Sequence, residues 1–217
     1  MARPIQKREH IEAGVVEVVA QKGLHATTIQ DIARAASVSP GLLYRYWSNR
    51  DELAAEVYVR HAGALIAELA SVADAGDTWS TLERMLDRFL RFAERRPTIL
   101  RFLLLSQHDL SRSIPKNKGI RSVLVGVLTQ GMRIGDIREM DPDLAAHLAL
   151  GVVVQPTVGV IYGDVPLTLS ACRAGMLEAL RRILAPDKSA VAVADSDRRV
   201  EAPARAASRT GKKGVCA

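Results

Sequence analysis

The sequence predicts an all-α protein, with an N-terminal helix-turn-helix three-helix unit followed by a larger C-terminal helical domain. Apolar residues recur at helical spacing from residue 11 to residue 184, and no stretch alternates with the period of a strand. Helix-start signals crowd the first 50 residues, and two short helices there are separated only by "ASVS". Aromatic residues make up 4% of the 217, so Leu, Val, Ile and Ala must build the core, which favours packed helices.

Ile11, Val15, Val18 and Val19 share one face of a first helix that stops near Gly23. Thr28 with Asp31 three residues on has the form of a capping box. It opens a short second helix whose buried face is Ile29, Ile32, Ala33 and Ala36. Ser39 before Pro40 reads as an N-cap and a first helical position, starting a third helix. Ser48 with Asp51 repeats the box pattern and starts a longer fourth helix through Leu53, Val57 and Ala64.

Asp77 or Thr78 caps a helix carrying Leu82, Met85, Leu86, Phe89 and Leu90, and Pro97 opens "PTILRFLLLSQ". A helix with Leu124, Leu128 and Met132 runs out at Gly135. Asp141-Pro142 leads an almost wholly apolar helix through Leu144, Leu148, Val152 and Ile161, with a kink expected at Pro156. The last helix carries Leu169, Cys172, Met176, Leu177, Leu180, Ile183 and Leu184. Beyond Pro186 the composition turns polar and loses its period, so 186–217 is expected to be a disordered basic tail.

A formal charge of +6 is compatible with polyanionic partners. Its distribution is uninformative: residues 1–60 hold 8 Lys/Arg against 7 Asp/Glu, residues 61–184 hold 15 against 13, and residues 185–217 hold 7 against 4. Any nucleic-acid surface near the N-terminus therefore depends on where a few residues sit. Cys172 and Cys216 make no disulfide or metal framework, and the five histidines show no HExxH spacing. With no GxSxG, no phosphate-cradling glycine loop and no motif placing a nucleophile near His108-Asp109, no catalytic residue, metal or cofactor is expected. The polar opening "MARPIQKREH" lacks a signal segment. The apolar run 148–161 is interrupted at Gln155-Pro156 and shorter than the roughly 20 residues a bilayer needs. A cytoplasmic protein with no membrane partner is expected.

The stretch "GLLYRYWSNR" (41–50) gathers a third of the nine aromatics. Helical spacing puts Leu43 and Trp47 on one face, continuing Val38, which makes Trp47 an anchor to the first and fourth helices. Pro40, Gly41, Tyr44 and Arg45 fall on the other side, with Leu42 and Tyr46 at its edges. In a major groove, tyrosine hydroxyls suit backbone phosphates, and the forked donors of Arg45 suit guanine O6 and N7. Arg50 and the capped starts at Thr28 and Ser39 suit phosphates as well.

These residues carry a resemblance. "TTIQDIARAASVSPGLLYRYWSNRDEL" (27–53), with "IEAGVVEVVAQKGLHA" before it, resembles the TetR/AcrR family of bacterial regulators. The matching positions are Thr28, Ile32-Ala33, Val38-Ser39, Gly41, Leu43-Tyr44, Tyr46-Trp47 and Arg50. Ser37 stands where the family commonly has glycine, so the turn must accept a left-handed serine or bend differently. Trp47 replaces a common Phe, and Arg50 a common Lys. Leu42 stands where small or polar residues are frequent, which suits apolar contact with a thymine methyl group.

The resemblance implies a DNA-binding transcriptional regulator of the bacterial cytosol and nucleoid, most often a repressor, in which a small-molecule effector shifts the fourth helix and releases a palindromic operator. It also implies a homodimer joined through the last two helices of each subunit, here through Leu169, Cys172, Met176, Leu180 and Ile183. Independently, the helix at 143–162 is apolar nearly all round, more than one chain can cover. The division expected is 1–48 for DNA binding, 49–185 for effector binding and dimerisation, and 186–217 for the tail. Phe89, Phe92, Phe102, Leu103 and Leu128 are candidates to line an effector pocket, with Gln107, His108 and Gln155 as polar anchors, although simple core packing explains the apolar ones equally. Two further readings stay open: an all-helical enzyme or carrier for apolar molecules whose N-terminal bundle does not touch DNA, and a regulator that answers to no ligand.

Overall fold

Capping and close packing decide where the first helices lie. The computed structural model describes residues 4–73 and 76–186; the expected tail beyond Pro186, with Cys216, lies outside the described residues. Helix α1 (Pro4–Lys22) buries Ile11, Val15, Val16, Val19 and Ala20, while Val18 is half-buried. It meets α2 (Ile29–Ala35) so closely that a Cβ on Gly14 would lie 3.0 Å from the Ala36 backbone nitrogen. That contact explains a mid-helix glycine, which otherwise costs about 0.5–1 kcal/mol relative to alanine.

The expected capping box opens α2. Asp31 N–H donates to Thr28 Oγ1 at 3.2 Å, and Thr28 N–H donates to Asp31 Oδ2 at 3.0 Å. At the other end, Val38 N–H donates to Ala33 O (2.9 Å) and Ser37 N–H to Arg34 O (3.1 Å), the bond pair of a Schellman motif. Ser37 supplies the left-handed residue at φ 54°, the only positive-φ non-glycine among the described residues. Of the two outcomes the sequence left open, this is the strained one.

Helix α3 (Pro40–Tyr44) has proline at its first turn as expected, but Ser39 caps it through extended backbone alone, with no side-chain bond. The fourth helix, α4 (Arg50–Ala70), is capped one residue later than expected: Glu52 N–H donates to Asn49 Oδ1 at 2.9 Å, and Ser48 N–H donates to Glu52 Oε2 at 2.7 Å. Asparagine caps as well as serine, and the longer Glu52 arm reaches back where Asp51 does not.

The remaining helices are α5 (Thr78–Arg95), capped by Asp77, α6 (Pro97–Leu110), α7 (Ile120–Ile134), α8 (Pro142–Tyr162), capped by Asp141, and α9 (Leu169–Leu184), capped by Thr168. Two short 3₁₀ turns, Ser111–Ser113 and Lys116–Lys118, lead from α6 to α7, and left-handed Gly135 ends α7. No strand occurs among the described residues. Helix α1 packs on α2 and along α6, α7 lies on α8, and α9 lies on α5 and α8. Arg173 straps α9 to α5, reaching Asp87 Oδ1 at 2.6 Å and Glu83 Oε1 at 2.7 Å. One hydrophobic core runs from Ile11 to Leu184 without a break.

Helix α8 has the expected extent, but Gln155 and Pro156 do not interrupt it. It continues through Gln155 and Pro156 for 21 residues, which makes it long and apolar enough, by length and composition, to cross a bilayer. Proline removes one backbone donor, but the helix holds on both sides, with Thr157 Oγ1 donating to Val153 O at 2.7 Å. Only 22% of its most apolar window is buried within the chain.

Replacing Ser37 with glycine removes the left-handed penalty while loosening the unfolded chain, for an expected net stabilisation of about 0.5–1 kcal/mol. Chemical denaturation of Ser37→Gly measures it, and a lower stability would show that the serine itself holds the turn.

Candidate nucleic-acid interface

A five-residue helix has no stability of its own, because nucleation consumes more conformational entropy than one turn of hydrogen bonds returns. Helix α3 is held from behind. Leu43 is fully buried and Trp47 is 8% exposed. The indole Nε1 donates to Glu56 Oε2 on α4 at 2.8 Å, and the other Glu56 oxygen pairs with Arg8 of α1. Alongside, Arg60 of α4 pairs with Glu12 of α1 at 2.5 Å. Ile32 and Ala33 are buried and Val38 is half-buried, the backing positions expected of them.

With the back fixed, the front faces solvent. Tyr44 is 55% and Tyr46 65% exposed; Ser39, Pro40, Gly41 and Arg45 are exposed, and Leu42 is half-buried. The Ser39 hydroxyl makes no capping bond. Thr28 is exposed at the start of α2, where its hydroxyl also donates to Asp31 Oδ2 at 2.6 Å. Asp31 is held well below the usual carboxylate range by the Lys22 ammonium (2.6 Å) and the Thr28 hydroxyl, so this corner keeps its charge pattern at any physiological pH.

Arg50 is not free to reach outward. Its Nη1 donates to Thr27 O at 2.8 Å and His25 O at 3.3 Å, and its Nε to Asp51 Oδ1 at 2.7 Å, clamping the α1–α2 loop onto α4. The sequence reading missed Glu56, whose partnership with an indole nine positions away leaves no local signal. It also missed Gln30 and Arg34, exposed on α2, although their i, i+4 spacing opposite Ile29 and Ile32 was visible.

In the C-terminal region Phe89, Phe92, Phe102, Leu103 and Leu128 are buried in the common core, with Gln107 half-buried. His108 and Gln155 are exposed, so they do not anchor anything among those side chains in this conformation. Among the described residues, one surface groove is lined by Glu68, Arg88, Arg91, Glu94 and Arg95, and another by residues of α1, α4 and α6 including His61 and Ile99. Neither is lined by the expected pocket residues. On α9, Leu169, Cys172 and Ile183 are half-buried, but Met176 and Leu180 are 3% and 4% exposed. The last two point into the subunit's own core and are corrected from the intersubunit face expected of them. The apolar face left uncovered is instead on α8: Leu144, Gly151, Gln155 and Tyr162 are exposed, with Leu148 and Val158 half-buried between them.

A short helix buried behind and bare in front, following a capped partner helix across a tight turn, defines a helix-turn-helix DNA-binding regulator of transcription. Residues 13–57 match the family described as bacterial regulatory proteins, tetR family, and the chain belongs to it. The fatty acid metabolism regulator protein of Bacillus subtilis (strain 168) is 26% identical over 172 residues, covering 76% of this chain and 89% of the relative. The HTH-type transcriptional repressor KstR2 of Mycobacterium tuberculosis (strain ATCC 25618 / H37Rv) is 30% identical over 135 residues, 58% of this chain and 66% of the relative. Among solved structures, the fatty acid degradation regulator FadR from Bacillus halodurans superposes with a TM-score of 0.71 at 22% identity, over 83% of this chain and 96% of that one. FadR from Bacillus subtilis in complex with stearoyl-CoA gives 0.70 at 23%, over 79% and 96%. These two structural likenesses concern the fold.

Proposed function

We propose that the chain is a repressor that binds a palindromic operator as a homodimer and is released by a long-chain acyl thioester or a ligand of similar apolar character. The geometry of α3 carries the DNA half of this reading. Tyr44 and Tyr46 offer phenol hydroxyls to backbone phosphates, Arg45 reads guanine edges, and Leu42 meets a thymine methyl group. The Ser39 hydroxyl, with the α3 start at Pro40 and Gly41, sits against the phosphate backbone, Thr28 contributes the capped start of α2 while its hydroxyl stays with Asp31, and Gln30 and Arg34 flank them on α2. Arg50 is reassigned to holding the α1–α2 loop. Residues 1–48 act as the DNA head and 49–185 as the effector and dimerisation body, a division of labour across a shared core.

The outer face of α8 supports the dimer. Its positions 144, 148, 151, 155, 158 and 162 form one stripe, with Gly151 at the centre and open space around it. The facing side of α9 adds the small exposed residues Ala171, Ala174 and Gly175, which let helices from two subunits approach closely. Recognition helices about 34 Å apart would then enter successive major grooves.

The effector assignment draws on the relatives named above and on the aliphatic and aromatic core of α5 to α8. Phe89, Phe92, Phe102, Leu103 and Leu128 now lie in the closed common core, so an acyl chain must part it, with half-buried Gln107 on α6 as a candidate polar contact. A ligand that binds only the parted state necessarily shifts the population toward it.

For DNA recognition, Arg45→Ala should weaken binding to the selected operator by about 1–3 kcal/mol and relax base preference at one position, while Tyr44→Phe should weaken all sequences by about 1 kcal/mol. Fluorescence anisotropy with helicity checked by circular dichroism measures both, and unchanged affinity in the two variants would remove this readout. Stearoyl-CoA should lower operator affinity by roughly 5–150-fold; an affinity that does not move at saturating ligand would overturn the acyl-thioester assignment. Gly151→Glu should leave the subunit folded, since glutamate is the better helix former and meets nothing within the chain, yet sediment as a monomer. A dimeric Gly151→Glu would place the interface elsewhere.

A further inference from the structure

Arg101, on α6, touches both the DNA head and the α8 face. Its Nε donates to Ala20 O at 2.9 Å, its Nη1 to Ile161 O at 3.5 Å, and its guanidinium carbon lies 5.9 Å from the centre of the Tyr162 ring. Ala20 is in the last turn of α1 and Ile161 in the last turn of α8. Both carbonyls are of the kind that helix geometry leaves without an intrahelical donor. The loops that follow do not serve them either: Gly23 N–H goes to Val19 O, and Val165 N–H goes to Gly159 O. Two helix C-termini, each the negative end of a dipole, therefore converge on one planar cation. Only a forked group with several fixed donors spans both; a lysine ammonium is a point charge that satisfies one at a time.

The same end of the head is tied to α6 a second time, through His25 Nε2 and Asp109 Oδ2 at 3.3 Å. Helix α1 also packs more extensively on α6 than on α4. Helix α1 packs closely on α2 and α2 on α3, so a shift of α1 carries the recognition helix with it, while Trp47 and Arg8 both pair with Glu56 of α4.

We infer that Arg101 is a positioning residue that fixes the DNA head to the end of α8 and thereby sets the half-site separation the dimer accepts. This rests on the dimeric-operator reading above. A displacement of α8 at the dimer face cannot be absorbed at this junction without carrying α1 along or breaking one of the two carbonyl bonds. The coupling thus runs from α8 through α6 to α1, beside any motion of α4.

The probe is the duplex that the wild-type protein selects from a random-sequence pool, together with a single half-site and versions of the duplex with the half-sites moved by one or two base pairs. Arg101→Met should bind the half-site within about twofold of wild type. It should bind the full operator about tenfold more weakly, and its affinity should depend less on spacing. Arg101→Lys should fall between. Tyr162→Leu, which leaves the Ala20 bond in place, should broaden the spacing profile and covers the case in which Arg101→Met does not fold; because Tyr162 also lies on the α8 stripe, sedimentation must show that this variant dimerises as the wild type does. An unchanged spacing profile in the folded variants overturns the inference, as does a half-site loss as large as the full-site loss, which would reduce Arg101 to a support of the head's own fold. If the wild type selects no two-half-site duplex, the dimeric-operator reading fails instead, and the two failures are distinct.

Discussion

The burial of one indole is the constraint on which the DNA-facing surface depends. Helix α3 is five residues long and would not persist in water. It exists because Leu43 and Trp47 are packed behind it and because Glu56 receives the indole N–H. An indole packed this deeply is worth about 3–5 kcal/mol against truncation, comparable with a large share of a small protein's whole stability. The exposed phenols and guanidinium in front are rigid only because the back is heavy. Function and packing here occupy opposite faces of the same turn of chain.

What could be read from the sequence followed from how local the physics is. Caps, prolines at first helical positions and periodic apolar residues act within four residues, and they placed every helix. The Thr28–Asp31 box and the Asp141-Pro142 start were legible in full. The α4 cap moved one residue because Asn49 and Ser48 are equally competent and only the reach of Glu52 decides between them. Interior against exterior on α9 was not legible: Met176 and Leu180 look no different in sequence from interface residues, and what buries one face of α9 is its packing on α8 and α5. Arg50 likewise reads as a surface cation until the carbonyls of His25 and Thr27 are brought beneath it.

Electrostatics follows the same division. The net charge of the chain is diffuse, and its first 60 residues are nearly neutral. Much of that neutrality is internal: Arg8, Arg60 and Arg50 are paired with Glu56, Glu12 and Asp51, and Lys22 with Asp31. Subtracting these pairs leaves Arg34 and Arg45 as exposed cations beside the α3 surface, Arg34 lying 3.5 Å from Asp31 while remaining 80% exposed. A small number of uncommitted charges in fixed positions suits selective contact better than a broad basic field, which would hold any polyanion.

The unbroken core from Ile11 to Leu184 has a genetic consequence. With no seam between head and body, residues 4–186 are expected to melt as a single cooperative unit, so that a cavity opened beside Phe102 withdraws support from α1 as one opened beside Leu43 does. A screen for derepressed mutants would therefore collect substitutions throughout the body, most of them far from any nucleotide. Their distribution would trace the common interior of the molecule, and only the minority that fold at wild-type levels would mark the surface that reads the operator.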